Sequence, residues 1–414
     1  NANESFTIAG NGGQAIIRQY FDTVMASGRG SAVVASDQPL GAVVQIQARA
    51  QQVPTSGAYM ASSSTHTTFY VPLLLRQRST ASGTGNSQIM VQNAGTSNVT
   101  VSIQLVGNPG FANYTKSGIS IAPGATYYYD LADESASNVP AGWEGSAVVT
   151  GSGQISVISN FFLGSHQLQT FNGFTPDDLT NKWFIPLFAS NLANRLSTPV
   201  TAQNLSASAI ATGALSMACQ PASDSPNQTT FTLQNNRSIA VNESYVFNPV
   251  TDASIARTWI GSCVLTAPGN VAAFVQMRFP GANDNAAAFE AINGTGTDRT
   301  VIVPLVAKLL ANGFATPVLI QNLGNASTNI TLTYKPNASC SGCQQYTENF
   351  TLAANASVQR NFRLSSTLPS MPSRWEGTLT VVSSSQPIDG YVQLTWVGIA
   401  SGDNYMAHRV FTQP

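Results

Sequence analysis

Few side chains in this sequence have the chemistry to catalyse a reaction, and their spacing does not gather them. A hydrolase would need a nucleophile beside a base, an acid paired with a base, or a metal cluster. The three histidines, His66, His166 and His408, fall near different loops or termini. There is no HExxH, no zinc-type Cys/His cluster and no GxSxG elbow. The 19 acidic side chains could in principle supply a glycosidase pair. Glu144 and Glu376, however, stand at equivalent positions of an internal repeat whose other copy has Ile260 there. An acid kept in two copies and lost from a third reads as architecture. A Ser-His-Asp set has no local motif to mark it among so many serines. The expectation is a non-enzymatic chain with no catalytic residue, cofactor or metal.

The remaining chemically suggestive residues have plainer readings. Trp143, Trp259 and Trp375 would form a sugar-stacking platform if exposed. At the start of buried strands they are core plugs, the reading preferred here. Pro176-Asp-Asp-Leu-Thr-Asn181 could hold Ca²⁺, but it lacks the spaced acids of a calcium loop and reads as a capped turn. Gly83-Thr-Gly85 and Gly151-Ser-Gly153 read as turns, since no strand-loop-helix context supports phosphate binding. A redox CxxC works at a helix N-terminus. Cys340-Ser-Gly-Cys343 sits in a polar turn between β segments and is expected to form a local disulfide. Cys219 and Cys263 flank strands of one repeat, so their pairing is expected within that sandwich.

The elements that position these residues recur along the chain, and repeats decide fold assignment before anything else. Gly142-Trp-Glu-Gly-Ser-Ala-Val-Val149 returns as Trp259-Ile-Gly-Ser-Cys-Val-Leu265 and Trp375-Glu-Gly-Thr-Leu-Thr-Val381, with a worn copy at Gly28-Arg-Gly-Ser-Ala-Val-Val34. The aligned glycines Gly30, Gly145, Gly261 and Gly377 are spaced by 115, 116 and 116 residues. Phe69-Tyr-Val-Pro-Leu73, Trp183-Phe-Ile-Pro-Leu187 and Val301-Ile-Val-Pro-Leu305 form a second anchor. Gln92-Asn93, Gln203-Asn204 and Gln321-Asn322 form a third. A turn motif occurs four times, at Ile8-Ala-Gly-Asn11, Ile121-Ala-Pro-Gly124, Ile239-Ala-Val-Asn242 and Leu352-Ala-Ala-Asn355. The leading copy therefore lacks its first half. The expected units are a half-repeat, 1–65, and repeats A (66–178), B (179–297) and C (298–414).

Each repeat reads as β structure. Val99-Thr-Val-Ser-Ile-Gln-Leu105 alternates apolar and polar residues without a break, as a half-buried strand does. Ile330-Thr-Leu-Thr-Tyr334 repeats the pattern, whereas Leu305–Leu310 is the one stretch that suggests a helical turn. About seven short strands per ~115 residues predict an all-β array of Ig-like sandwiches, three full copies and a half.

Composition narrows the function class. Charged residues are 9 % of the chain and the net charge is −1. A nucleic-acid binder needs a basic stripe, and a membrane-surface protein needs Lys/Arg clusters; neither is present. No apolar run reaches the ~18 residues of a spanning helix. The chain starts at Asn1, the expectation being a processed product or fragment from which a signal peptide has gone. There are 13 Asn-x-Ser/Thr triplets, with Asn98, Asn227, Asn325 and Asn337 the candidate glycan acceptors at strand ends or turns. The expected location is extracellular or the cell surface.

The Pro-Leu anchor, Gln92-Asn-Ala-Gly95 and Gln321-Asn-Leu-Gly324, Pro123-Gly124 and Gly145-Ser-Ala-Val-Val149 together resemble a repeat of secreted bacterial surface and appendage proteins of the Chloroflexus type. The resemblance implies an extracellular β-sandwich array and supplies no active site. On this basis the expected function is structural: self-assembly into a filament, sheath or surface layer. Tandem sandwiches suit an elongated rod. The alternative is an adhesin or carbohydrate-binding string, with glycans as partners. In the half-repeat, Ser31-Ala-Val-Val34 and Ala42–Gln47 have no Pro-Leu or Gln-Asn strand to cover them. An open sheet of that kind invites pairing, so a second copy of the chain is expected to complete it head to tail.

Overall fold

The long strand that begins at each repeat's tryptophan organises the architecture. The computed structural model describes residues 4–8, 30–48, 55–62, 64–80, 83–164, 167–252, 255, 257–279, 285–338, 340–398 and 403–413. His166, Asn11 and Gly28 lie outside these. Among the described residues the regular structure is β, in antiparallel sheets, with short 3-10 turns at Leu131–Asp133 and Pro176–Asp178 and no α-helix. Among the described residues no helix is long and apolar enough to cross a membrane. The helical turn suggested at Leu305–Leu310 is not formed. Strand Thr300–Lys308 takes up that stretch, since its Val301, Val303 and Val306 all face the core.

In repeat A the long strand Trp143–Leu163 bridges two sets of partners. Its first half pairs with the Pro-Leu strand His66–Arg76 and with Val99–Gly107. Its second half pairs with the Gln-Asn strand Gly83–Asn93 and with a closing strand, Gln167–Asn172. Repeat B has the same plan: Trp259–Arg278 pairs with Thr180–Ser190 and Ser216–Pro221, then with Val200–Asn204 and Ala286–Glu290. In repeat C the strand is broken into Trp375–Ser383 and Ile388–Trp396, with the corresponding partners. One predicted turn is corrected here: Gly151-Ser-Gly153 lies inside the long strand, where it passes from one set of partners to the other. Gly83-Thr-Gly85 sits at a chain reversal, pairing antiparallel with Arg78–Thr80 with Thr80 opposite Gly83, whose φ is 108°.

The tryptophans fill the core. Trp143, Trp259 and Trp375 are fully buried, and each indole Nε1 donates to a backbone carbonyl, of Ala112, Thr229 and Gln344, at 2.8–3.0 Å. A Cβ at Gly145, Gly261 or Gly377 would strike the indole two residues earlier and the carbonyl of the adjacent strand. The Trp-x-Gly signature is thus one packing unit, a ring laid over a position that must carry no side chain.

The closing strands gather the repeats. Thr55–Met60, the last strand of the half-repeat, forms a hairpin with Val43–Ala48. It packs on Gln167–Asn172 of repeat A and on Tyr405–Arg409 of repeat C. Ala286–Glu290 of repeat B packs on the same two strands from the other side. The four form a closed cycle, a hub from which the sandwiches radiate. An elongated rod is therefore not what one chain forms.

Candidate functional site

The polar side chains that recur in the sequence converge at the seams between repeats. At each Pro-Leu anchor the pairing register slips. Residues 72–73 are bulged between Val71↔Ala147 and Leu74↔Gly145, and the same slip follows Ile185 and Val303. Proline has no N–H and is tolerated in sheets at such bulges. The donor comes from the next repeat. Gln203 Nε2 reaches the Ala147 carbonyl at 3.3 Å and Gln321 Nε2 reaches that of Cys263 at 3.4 Å.

A serine completes each seam. Ser146 Oγ donates to the Asn242 carbonyl, and Ser262 Oγ to that of Asn355 at 3.0 Å. The same two glutamines also donate to these carbonyls, at 3.1 and 2.8 Å. Asn242 and Asn355 have φ of 65° and 59°, and Gly124 has 70°. The left-handed backbone at this turn explains why the motif ends in Gly or Asn. Ser31 of the half-repeat makes the matching bond to Gly124, at 2.8 Å. The other member of the Gln-Asn pair works within its own repeat: Asn93 and Asn322 donate to the carbonyls of Ile121 and Leu352, each the last residue of a strand, and Asn204 to that of Ile239, at an isolated bridge to Ile210.

The hub is also polar. Asp403 is 1 % exposed. Its carboxylate accepts from the backbone N–H of Leu168 at 2.8 Å, Ala286 at 3.0 Å and Tyr405 at 3.2 Å. Its carbonyl accepts from Ser56 Oγ at 2.6 Å. One residue of repeat C therefore touches repeats A and B and the half-repeat. Around it, Asn172 donates to the Glu290 carboxylate at 2.7 Å and to the Met60 carbonyl at 3.0 Å, while Arg409 pairs with Asp389. Burial lowers the His408 pKa to about 4, so its ring is neutral near pH 7.

The candidates singled out in the sequence are scattered. His66 pairs with the exposed Asp177 at 3.3 Å, far along the chain from the hub residue His408. Asp178 accepts from the backbone and hydroxyl of Thr175, a capped turn. Glu144 accepts from Asn108 at 3.1 Å and Glu376 from Asn337 at 2.8 Å, the same brace in two repeats. Cys219 is bonded to Cys263 across adjacent strands, and Cys340 to Cys343 within a turn. Asn98 and Asn325 are exposed in turns, Asn227 is half-buried, and Asn337 spends its amide on Glu376. Among the described residues no three His, Cys, Asp or Glu side chains are grouped to hold a metal ion. A cleft of about 370 Å³ at the A–B seam is bordered by Arg78, Glu144 and Arg278, and no aromatic side chain lines it. Sequence reading missed the seam and hub residues. The recurrence of Gln beside Asn was the signal for the seam; Asp403 has no counterpart motif.

No family model matches the sequence, and neither does any curated protein. A solved structure described as the crystal structure of Thermotoga maritima 1070 is similar over 26 % of this chain and 91 % of its own, at 11 % identity and a TM-score of 0.22.

Proposed function

We propose that this chain is a non-enzymatic extracellular structural protein, three Ig-like sandwiches and a half copy, that self-assembles head to tail. The assembly is a filament, sheath or surface layer in which a neighbouring subunit completes the half-repeat. The observation that carries this reading is the apolar surface left open on the half-repeat. Val33 is 82 % exposed and Val34 52 %, with Leu40 and Val44 also in solvent. Covering a valine fully is worth about 1.5–3 kcal/mol, so a partner that buries this run gains substantially. A charged fraction of 9 % keeps self-repulsion low in a dense polymer. The two disulfides fit an oxidising compartment, and the exposed Asn98 and Asn325 offer glycan acceptors there.

The test is light scattering and negative-stain microscopy of the full chain beside a Val33→Asp, Val34→Asp variant. Both side chains are exposed, so the fold is expected to survive. The wild type should form a regular polymer that the variant does not. An unchanged polymer from the variant, or a wild type that stays monomeric at high concentration, overturns the reading.

A further inference from the structure

The two seams between full repeats share a frame but not their charges. Pro199 and Gln276 of repeat B recur as Pro317 and Gln393 of repeat C. In each pair the glutamine backbone N–H donates to the proline carbonyl, at 2.9 and 2.8 Å. The charged positions do not recur. Arg78 stands two residues past the partner of Trp143, and Leu192 two past the partner of Trp259. Glu144 is matched by Ile260. Arg278 lies seven residues past the partner of Asn204, and Thr395 seven past the partner of Asn322. The B–C seam therefore has Leu192, Ile260 and Thr395 where the A–B seam has two guanidinium groups and a carboxylate.

These charges border the cleft of about 370 Å³, a volume within the ~300–1,000 Å³ of small-ligand sites. Arg78 is neutralised: its Nε pairs with Glu144 Oε2 at 3.3 Å, and its Nη1 donates to the Gly142 carbonyl at 3.2 Å. Arg278 is not. Its Nη2 donates to Gln276 Oε1 at 2.8 Å, and its guanidinium lies 5.7 Å from the Phe161 ring centroid. Its Nε is shut off from solvent with no partner. Nη1, which is not shut off, makes no hydrogen bond with a described residue, and no described carboxylate is within ion-pair distance of Arg278. Burial lowers its pKa to about 10, which leaves it charged at neutral pH, and Glu144 offsets that burial only in part. Withdrawing a charge from water without a counter-ion is costly. Bracing Gln276 does not require that charge, because Gln393 stands in the same place with Thr395 for the arginine.

The rest of the lining indicates what the anion carries. Leu73, Pro199 and Val246 supply apolar surface. The hydroxyls of Ser79 and Thr251, both exposed, and the amide NH₂ of Asn248 make no hydrogen bond with a described residue. One cation is in excess among the lining residues, which matches a monoanionic carboxylate better than a dianionic phosphate. There is no aromatic face on which a neutral sugar ring could stack.

We propose that this cleft binds a sugar acid, whose carboxylate pairs with Arg278 at Nη1 and whose hydroxyls bond with Ser79, Thr251 and Asn248. The site is independent of the self-assembly proposed above, since none of its groups lies on the half-repeat.

The test is isothermal titration of the full chain with sodium glucuronate, beside glucose and inorganic phosphate as probes of the ring and of the charge alone. Glucuronate should bind saturably and glucose should not. Arg278→Gln, which keeps a donor for Gln276, should weaken glucuronate binding by ~10-fold or more, equivalent to about 1.4 kcal/mol. Because Arg278 is partly buried, Asn248→Asp serves as the second variant. It keeps the oxygen that accepts the Val250 N–H, sets an acid beside the ligand carboxylate, and should weaken binding to a similar extent. Thermal midpoints close to wild type identify the folded variants. Methyl β-glucuronoside, its anomeric carbon blocked as in a glycan, separates two sources of the acid. Binding equal to that of glucuronate assigns the site to a glycan-borne acid, and loss of binding assigns it to a free one. No saturable glucuronate binding by the wild type overturns the proposal. So does binding that either folded variant leaves unchanged, and so does glucose or phosphate binding as tightly as glucuronate.

Discussion

Replacing Asp403 tests the hub directly. The carboxylate is buried and receives the N–H groups of Leu168 from repeat A and Ala286 from repeat B, on different oxygens. Asp403→Ala leaves two buried donors from separate sheets without this acceptor, at about 1–3 kcal/mol each, or roughly 2–6 kcal/mol in all. Removal of the charge returns part of this, because a buried carboxylate carries its own desolvation cost. The net expectation is a loss of about 2–4 kcal/mol. Asp403→Asn keeps the shape but points an amide NH₂ at one of the two N–H donors. It should therefore fall between wild type and the alanine variant. Urea unfolding followed by tryptophan fluorescence is the assay, since four of the buried rings, Trp143, Trp183, Trp259 and Trp375, span all three repeats. The alanine variant should also lose cooperativity between the repeats. An Asp403→Ala midpoint indistinguishable from wild type would refute the account of the hub as the joint between repeats.

Three further outcomes follow from the same geometry. His408, held to about 4 by burial, binds a proton in the unfolded state before it does in the folded one. Stability should thus fall as pH drops from about 6.5 to about 4, by up to about 3 kcal/mol, and His408→Gln should remove that slope in urea titrations across this range. Burial raises the pKa of nearby Glu290, which gives stability of the opposite pH dependence, so the difference between wild type and His408→Gln isolates the histidine. Gly261→Ala drives a methyl into the Trp259 ring and the Gln220 carbonyl and should cost about 1–3 kcal/mol, read as a lowered thermal midpoint; Gly213→Ala, at an open turn of positive φ, is the smaller-effect comparison. Gln321→Ala removes two seam bonds, to Cys263 and Asn355, and should cost about 1–2 kcal/mol while leaving the Trp375 environment unchanged by near-ultraviolet circular dichroism.

What could be read without coordinates was local or periodic. The alternation at Val99–Leu105 and the recurring Trp-x-Gly announced β strands and their copies, because strand burial has period two and duplicated units keep their plugs. The pairing of Cys219 with Cys263 was legible from their place in one repeat. The turn ending in Gly or Asn was visible too, since φ above zero selects those residues wherever it occurs. The seam was half legible. Gln92, Gln203 and Gln321 stood out by recurrence, but which carbonyl each meets depends on a bulge that only paired strands reveal. The hub was not legible at all. Its four strands, Thr55–Met60, Gln167–Asn172, Ala286–Glu290 and Tyr405–Arg409, share little sequence, because each packs on different neighbours and satisfies them with different groups. Asp403 looks like any loop acid in the chain. It becomes the meeting point of four segments only because strands more than a hundred residues apart are brought within hydrogen-bonding distance, and the sum of those long-range contacts, not any local preference, decides which side chain sits at the centre.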